Sequence, residues 1–350
     1  MNEAPVTLEA LGWNSFFAAQ VDSDAIAAAV VGKVVAVHRD ALEVLGPGLD
    51  ERVPPIGPDG PATVGDWVVL DPRTRRPLRI LDRQSLFKRK SPGESRRLQL
   101  IAANVDTVFL VTSANHEFNP ARLERYLAIA REAGVMPVVV LTKIDLVDDA
   151  TPFLRAARAL APGLVVEAVD ARGPEGVASL GPWLAPGQTI ALLGSSGVGK
   201  STLVNTLSGG ERQATGAISE ADDRGRHTTS GRSLHRLASG AWLLDTPGMR
   251  ELQLVEAAAG IDEVFEDVVA LADRCRFGDC THEGEPGCAV RAALDAGQLD
   301  EERLTRYRKL VREERRNAES VAEARAKSRA FGRMAKDVMA DKARRRGDGA

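Results

Sequence analysis

The chain has 350 residues, enough for more than one buried core, and its 44% apolar but only 4% aromatic content means those cores draw on Val, Leu, Ile and Ala. A formal net charge of -3 says nothing by itself about nucleic acid, but the charge is uneven: Arg303 to Arg346 holds 16 Lys or Arg against 6 Asp or Glu. No apolar run is long enough for a membrane-spanning helix, and MNEAPVTLEALGW does not have the pattern of a signal peptide, so the expected location is the cytoplasm. After a leading extension over 1–27, residues 28–81 carry short strand patterns (VVGKVVAVHR, ALEVLG, TVGDWVVLD) separated by Gly and Pro clusters, which predicts a small all-β barrel or sandwich. DRQSLFKRKSPGESRR follows and reads as a polar, basic linker or exposed loop.

From Ile101 the pattern changes. NVDTVFLVTSA reads as a buried strand, PARLERYLAIAREAG as an amphipathic helix stopped by Gly134, and MPVVVLTKIDL as a second strand, which together predict a parallel βαβ unit. The alternation continues through FLRAARALAPG, LVVEAV, GPEGVASLGPWL and QTIALLG, a helix over Lys200–Leu207, the strand WLLDT and a helix near IDEVFEDVVALA. The stretch from Gly209 to Leu237 is too long for an ordinary connection and is expected to be functional. From about Leu299 the chain reads as helix with a charged surface. The expected divisions are 28–100 for the β region and linker, 101–259 for the α/β domain, and 260–350 for a metal-binding region with a basic helical tail.

Gly194-Ser195-Ser196-Gly197-Val198-Gly199-Lys200-Ser201, followed by Thr202, matches G-x-x-x-x-G-K-[ST] between a predicted strand and a predicted helix. Its glycines let successive amides face phosphate oxygens, Lys200 would reach the outer phosphates, and the Ser201 hydroxyl would bind Mg²⁺. The loop implies a nucleoside triphosphate without naming the base. Thr142-Lys143-Ile144-Asp145 narrows it to GTP. The carboxylate of Asp145, an acceptor only, suits the N1–H and 2-amino donors of guanine, and the Lys143 stem can lie over the base. Thr142 stands where many GTPases have Asn, keeping hydrogen-bonding capacity at shorter reach. Asp245-Thr246-Pro247-Gly248 ends a strand: its carboxylate would hold Mg²⁺ through water and the Gly248 amide would sense the γ-phosphate. Met249, next along, cannot orient water as a glutamine would. His227 is the candidate water-orienting residue, and Thr228 and Thr229 suit closure on Mg²⁺ when the γ-phosphate is present.

All three cysteines fall in Cys275-x4-Cys280-x-His282-x5-Cys288. An odd, clustered set is a poor disulfide framework, whereas three thiolates and an imidazole in a polar stretch suit one structural Zn²⁺ in a closed tetrahedral site. The basic runs at 83–97 and at the C-terminal end, flanking such a domain, favour RNA as a partner. A GTP-regulated module on a membrane or protein partner is the competing reading, and no anchor segment supports its membrane form.

This set of motifs, in this order, resembles the ribosome-small-subunit-dependent GTPase A family of circularly permuted bacterial GTPases. The resemblance rests on the guanine motif at 142–145, the phosphate loop at 194–201, Gly225-Arg226-His227-Thr228-Thr229, Asp245 to Gly248 and the Cys-Cys-His-Cys set, with GKVVAVHRD and VGDWVVL at the front. It covers roughly residues 28–310. It implies an N-terminal OB-fold barrel, a permuted α/β GTPase domain and a C-terminal zinc-binding domain. Hydrolysis of GTP to GDP would be stimulated by the small (30S) ribosomal subunit late in its maturation, with rRNA contact by a monomer and His227 as the suspected catalytic residue. One departure stands out: the family's Ser-Ala pair behind the guanine is replaced by Val169-Asp170-Ala171.

Overall fold

The computed structural model describes residues 6–21, 30–56, 61–90, 98–209, 232–246, 249 and 252–319. The first strands are β1 (Val30–Val37), β2 (Leu42–Gly46), β3 (Leu49–Val53), β4 (Trp67–Leu70) and β5 (Pro77–Ile80). All pair antiparallel, in the order β3-β2-β1-β4-β5. The alternation in β2 sends Leu42 and Val44 inward, where they pack with Val34, Leu49, Val53, Val68 and Leu70. The leading extension belongs to the same body. Leu11 and Phe17 are buried, and Trp13 meets Trp67 edge-on at 4.8 Å between ring centres.

Part of the segment expected as a linker is instead β6 (Leu86–Lys90), which pairs antiparallel with β7 (Leu98–Ala103), while its residues 91–97 lie outside the described residues. Its basic residues mask one inward position: Phe87 is buried in the main core while Lys88, Arg89 and Lys90 stay half-buried.

The central domain follows the expected βαβ grammar. Strands β8 (Thr107–Ser113), β9 (Met136–Thr142), β10 (Val165–Ala168), β11 (Thr189–Leu193) and β13 (Trp242–Asp245) lie parallel in the order β10-β9-β8-β11-β13. All seven residues of β8 are buried, because its two faces enter different cores. Val108 and Leu110 join one, Phe109 and Val111 the other. Between the strands run α2 (Pro120–Glu132), α3 (Thr151–Arg158), a 3-10 stretch over Glu175–Trp183 and α4 (Lys200–Leu207), with α1 (Ser15–Ala18) near the front of the chain. Asn119 caps α2, accepting from the Arg122 amide at 3.0 Å.

Within the stretch expected as one long connection, residues 232–236 form β12 (Arg232–Arg236). It pairs antiparallel with β13 on one side and with β1 on the other, through Ala36↔Ser233 and Val37↔Arg232. The two β regions therefore share one hydrogen-bonded sheet.

Past β13 come α5 (Ala258–Val264), α6 (Glu266–Ala272), α7 (Ala289–Asp295) and α8 (301–319). Helix α5 lies against α2 so closely that a Cβ on Gly260 would sit 2.1 Å from the Ala128 carbonyl oxygen. The basic content of α8 is partly spent inside the protein. Arg303 and Arg306 both bond the fully buried Glu124 on α2, each at 2.8 Å. Arg303 also pairs with Asp267 at 2.9 Å and lies over the Phe265 ring at 4.2 Å. Among the described residues, no helix is long and apolar enough to cross a membrane.

Candidate functional site

Parallel strands put their C-terminal ends at one edge, and the loops leaving that edge carry the predicted nucleotide motifs. Ladder register aligns them. Ser113 faces Thr142, Leu193 faces Leu110, and Ile190 faces Leu243, which sets Asp245 level with Leu192, two residues before the phosphate loop.

The loop from Gly194 to Gly199 turns between β11 and α4, with Gly197 and Gly199 in the left-handed region at φ 80° and 92°. An L side chain is strained at that dihedral, which is why the spacing of these glycines matters. A Cβ on Gly194 would lie 2.4 Å from the Val111 carbonyl oxygen, so the loop begins pressed against β8. Ser196 and Gly197 are exposed, Val198 is buried, and Lys200, Ser201 and Thr202 are half-buried on the first turn of α4. The Lys200 ammonium donates to the carbonyls of Gly194, at 2.9 Å, and of Ser195. Its charge is thus held over the loop's mouth, where phosphates would replace those carbonyls as acceptors.

Thr142 is fully buried at the end of β9. Its hydroxyl lies 2.6 Å from the Val198 carbonyl oxygen and 3.0 Å from that of Thr112, sharing one proton between them. The short side chain therefore reaches the glycine-rich loop, and the segments carrying the two predicted nucleotide motifs are tied at this atom. Lys143 follows with φ 58°, redirecting the chain into the 3-10 turn Ile144–Leu146. Asp145 sits on that turn, with its carboxylate 3.1 Å from Arg172 Nη1. Across the edge, the Asp245 carboxylate ends β13 within 3.7 Å of His235 Nε2. The adjoining Thr246 hydroxyl is buried and has no hydrogen-bond partner among the described residues. Met249 is 4% exposed and belongs to the core, which explains an apolar residue there. His227, Thr228, Thr229 and Gly248 lie outside the described residues.

Two arginines missed in the sequence stand at this edge. Arg122, on the first turn of α2, donates to the Ser195 hydroxyl at 2.6 Å. Arg172 bridges Asp145 and Asp170. The only trace of either in the sequence is the acidic Asp170 two residues before Arg172.

The Cys275, Cys280, His282 and Cys288 ligand atoms all lie within 4.8 Å of one another, a second site apart from the sheet edge. His282 Nδ1 is 3.5 Å from both Cys275 Sγ and Cys288 Sγ, and the two sulfurs are 3.9 Å apart. The loop between them is held from within. Glu285 accepts from the amides of Thr281, Glu283 and Gly284 and from the Thr281 hydroxyl, and those bonds hold its carboxyl well below the usual range. His282 has φ 62°, and its carbonyl accepts from Arg308 of α8 at 2.7 Å.

The strand order, the loop before α4 and the turn over Ile144–Leu146 that precedes it in the chain define a P-loop nucleotide-binding α/β protein of permuted element order. The family model described as RsgA GTPase matches residues 80–255. Small ribosomal subunit biogenesis GTPase RsgA 2 of Vibrio parahaemolyticus is 49% identical over 340 residues, covering 97% of this chain and 94% of its own. Small ribosomal subunit biogenesis GTPase RsgA of Mesorhizobium japonicum is 49% identical over 316 residues, covering 89% and 91%. The crystal structure of YjeQ from Thermotoga maritima superposes with a TM-score of 0.60 at 25% identity, covering 81% of this chain and 97% of its own. YloQ, a circularly permuted GTPase, shares the fold at a TM-score of 0.57 and 23% identity, covering 85% and 96%. The chain belongs to the RsgA GTPase family, and it is a GTPase of several regions: β-rich, then P-loop, then a Cys/His cluster.

Proposed function

We propose that this chain hydrolyses GTP as a biogenesis factor of the small ribosomal subunit, binding the subunit's rRNA as a monomer in the cytoplasm. One observation carries the chemical part: the Thr142 hydroxyl ties the guanine motif to the phosphate loop at a single sheet edge. The name and 49% identity of the Vibrio relative support the ribosomal part.

In this reading Asp145 takes the two N–H donors of guanine, Lys143 covers the base, and Ile144 holds the turn. Residues Gly194 to Thr202 wrap the phosphates, with Lys200 turning from the loop carbonyls to the phosphate oxygens. The hard oxygen donors of Ser201 and Asp245, beside the unpartnered Thr246 hydroxyl, fit Mg²⁺, which when bound neutralises charge on the transferring phosphoryl group. His227 orients the attacking water, while Thr228, Thr229 and Gly248 report the γ-phosphate.

The Cys/His cluster fits zinc. With Zn–S of about 2.3 Å and Zn–N of about 2.05 Å, a tetrahedron has S–S edges near ~3.8 Å and S–N edges near ~3.6 Å. The separations of 3.9 and 3.5 Å among Cys275, His282 and Cys288 match those edges, and Cys280 completes the set within 4.8 Å. Four protein ligands close the sphere, so the metal would hold structure and perform no catalysis. The five antiparallel N-terminal strands support an OB-fold over 28–100, followed by a GTPase domain over 101–259 and a zinc-binding domain with its tail over 260–350. Lys309, Arg312, Arg315 and Arg316 are exposed on α8 and remain available to phosphate backbone.

Measuring GTP turnover with and without purified small subunits tests the proposal, with stimulation and co-sedimentation expected. Neither stimulation nor co-sedimentation would sink the ribosomal reading. His227→Ala is expected to cut turnover while leaving nucleotide affinity nearly unchanged. Weakened binding would instead make His227 a ligand contact.

A further inference from the structure

We propose that Arg172, clamped by Asp170, orients the base-reading carboxylate of Asp145 and thereby sets how strongly the site prefers guanine over a purine lacking the 2-amino group. The inference rests on reading Asp145 as the guanine contact.

The guanidinium lies between two carboxylates. Its Nε and Nη2 donate to Asp170 Oδ1 and Oδ2 at 2.9 and 2.7 Å, a two-point grip on one edge of the plane. Its Nη1 projects from the remaining side to Asp145 Oδ2 at 3.1 Å. The Arg172 amide also donates to Asp170 Oδ1 at 3.1 Å, so backbone and side chain share one anchor. These bonds hold the Asp170 carboxyl down at about 2.

The anchor itself is fixed to the sheet. The amide of Val169 bonds the Leu141 carbonyl at 2.9 Å, extending the β9–β10 ladder to the residue before Asp170. Gly176 packs so tightly on the Asp170 carbonyl that a Cβ there would lie 2.2 Å from its oxygen. Asp145, by contrast, sits on a short turn, and Arg172 is its sole side-chain partner among the described residues.

A carboxylate oxygen has two lone pairs. Arg172 approaches Oδ2 as a charge at 3.1 Å without taking up a hydrogen bond, so both oxygens keep lone pairs for a ligand. Guanine needs one on each oxygen, so the arginine can stay in place while the base binds. Without it the carboxylate is free to swivel. A swivelled carboxylate still meets N1–H, which hypoxanthine shares, but loses register with the 2-amino group that only guanine has. Discrimination between the two bases should therefore depend on Arg172 more than phosphate binding does. A serine at position 170 would have no fork to grip a guanidinium, which makes the arrangement a consequence of Asp170. Lysine at 172 would bring charge without a second edge.

The test is competition of GDP, IDP and XDP against a fluorescent GDP analogue on the full-length protein and four variants. Asp145→Asn should shift preference from guanosine to xanthosine nucleotides. Failure of that shift overturns the reading of Asp145, and this inference with it. Given the shift, Arg172→Ala should narrow the GDP-over-IDP preference by about two- to fivefold, the scale of an exposed ion pair. Arg172→Lys should behave like Arg172→Ala, and Asp170→Ser should narrow the preference in the same direction, with thermal melting checking that each variant folds. An unchanged preference, tighter GDP binding in Arg172→Ala, or full rescue by lysine would overturn the inference alone.

Discussion

Lys33 stands on β1 only 2% exposed, its ammonium donating to the Leu11 carbonyl at 2.8 Å and the Thr189 hydroxyl at 2.9 Å. One lysine thus joins the leading segment, the N-terminal sheet and β11. Burial pulls its pKa from the ordinary 10.5 down to about 8, opposed by the nearby Asp106 carboxylate. Between those two values the unfolded chain binds more protons than the folded one, so this group makes stability rise with pH across about 8 to 10.5. That contribution is lost as pH falls through 8. The full shift corresponds to about 3 kcal/mol. Urea denaturation at pH 7.5 and pH 10 should show wild type gaining relative to Lys33→Met, and parallel pH dependences for the two proteins would refute it. Thr142 makes a different point at the same scale. Its reach looked short in the sequence, yet β9 delivers it to 2.6 Å from the Val198 carbonyl oxygen, so position compensates for length.

At the scale of elements, α8 is fastened to the GTPase core by the buried Glu124. Replacing the carboxylate by an amide leaves one neutral oxygen where two guanidiniums had a shared negative charge, and only Arg303 keeps a second carboxylate, Asp267. Glu124→Gln is therefore expected to cost about 3 kcal/mol in urea unfolding and to expose α8 to protease. No loss of stability would mean that desolvation had already cancelled the pairs. The proposed zinc would support the Cys/His loop in a similar way. Cys288 caps α7 by accepting from the Arg291 amide at 3.4 Å, while the loop contributes little apolar burial of its own. Chelation should therefore loosen 275–295 in hydrogen exchange while GDP affinity at the sheet edge stays intact. Protection unchanged after complete metal removal would count against a structural zinc.

For the whole molecule, the permuted order acquires a mechanical meaning. The connection containing His227 to Thr229 enters β12, and β12 is hydrogen-bonded to β1 of the N-terminal sheet. The Asp245 motif leaves β13 toward α5, which is locked on α2 through Gly260. Both proposed γ-phosphate reporters therefore feed into neighbouring regions, Thr229 into β12 and Gly248 along the chain toward α5. Distances measured between probes on the β2–β3 turn and on α8 should differ between GDP and GTP-analogue states. Equal distances would argue against this route.

The sequence determined what local chemistry can encode: the βαβ alternation of the central domain, the glycine-rich loop between β11 and α4, the turn after β9 that carries the proposed guanine motif, and a Cys/His cluster of types that suit a metal. It concealed the β6–β7 pairing, because Phe87 is a single inward residue within a basic run. Tertiary structure alone decided which charges are spent. Arg303 and Arg306 read as available to RNA until α8 was seen to deliver them to Glu124. It also decided the β1–β12 ladder, since backbone hydrogen bonds between strands some 200 residues apart leave no periodic signal. The Asp170–Arg172–Asp145 relay has the same origin: three side chains from two loops become one device only where a parallel sheet brings both loops to the same edge.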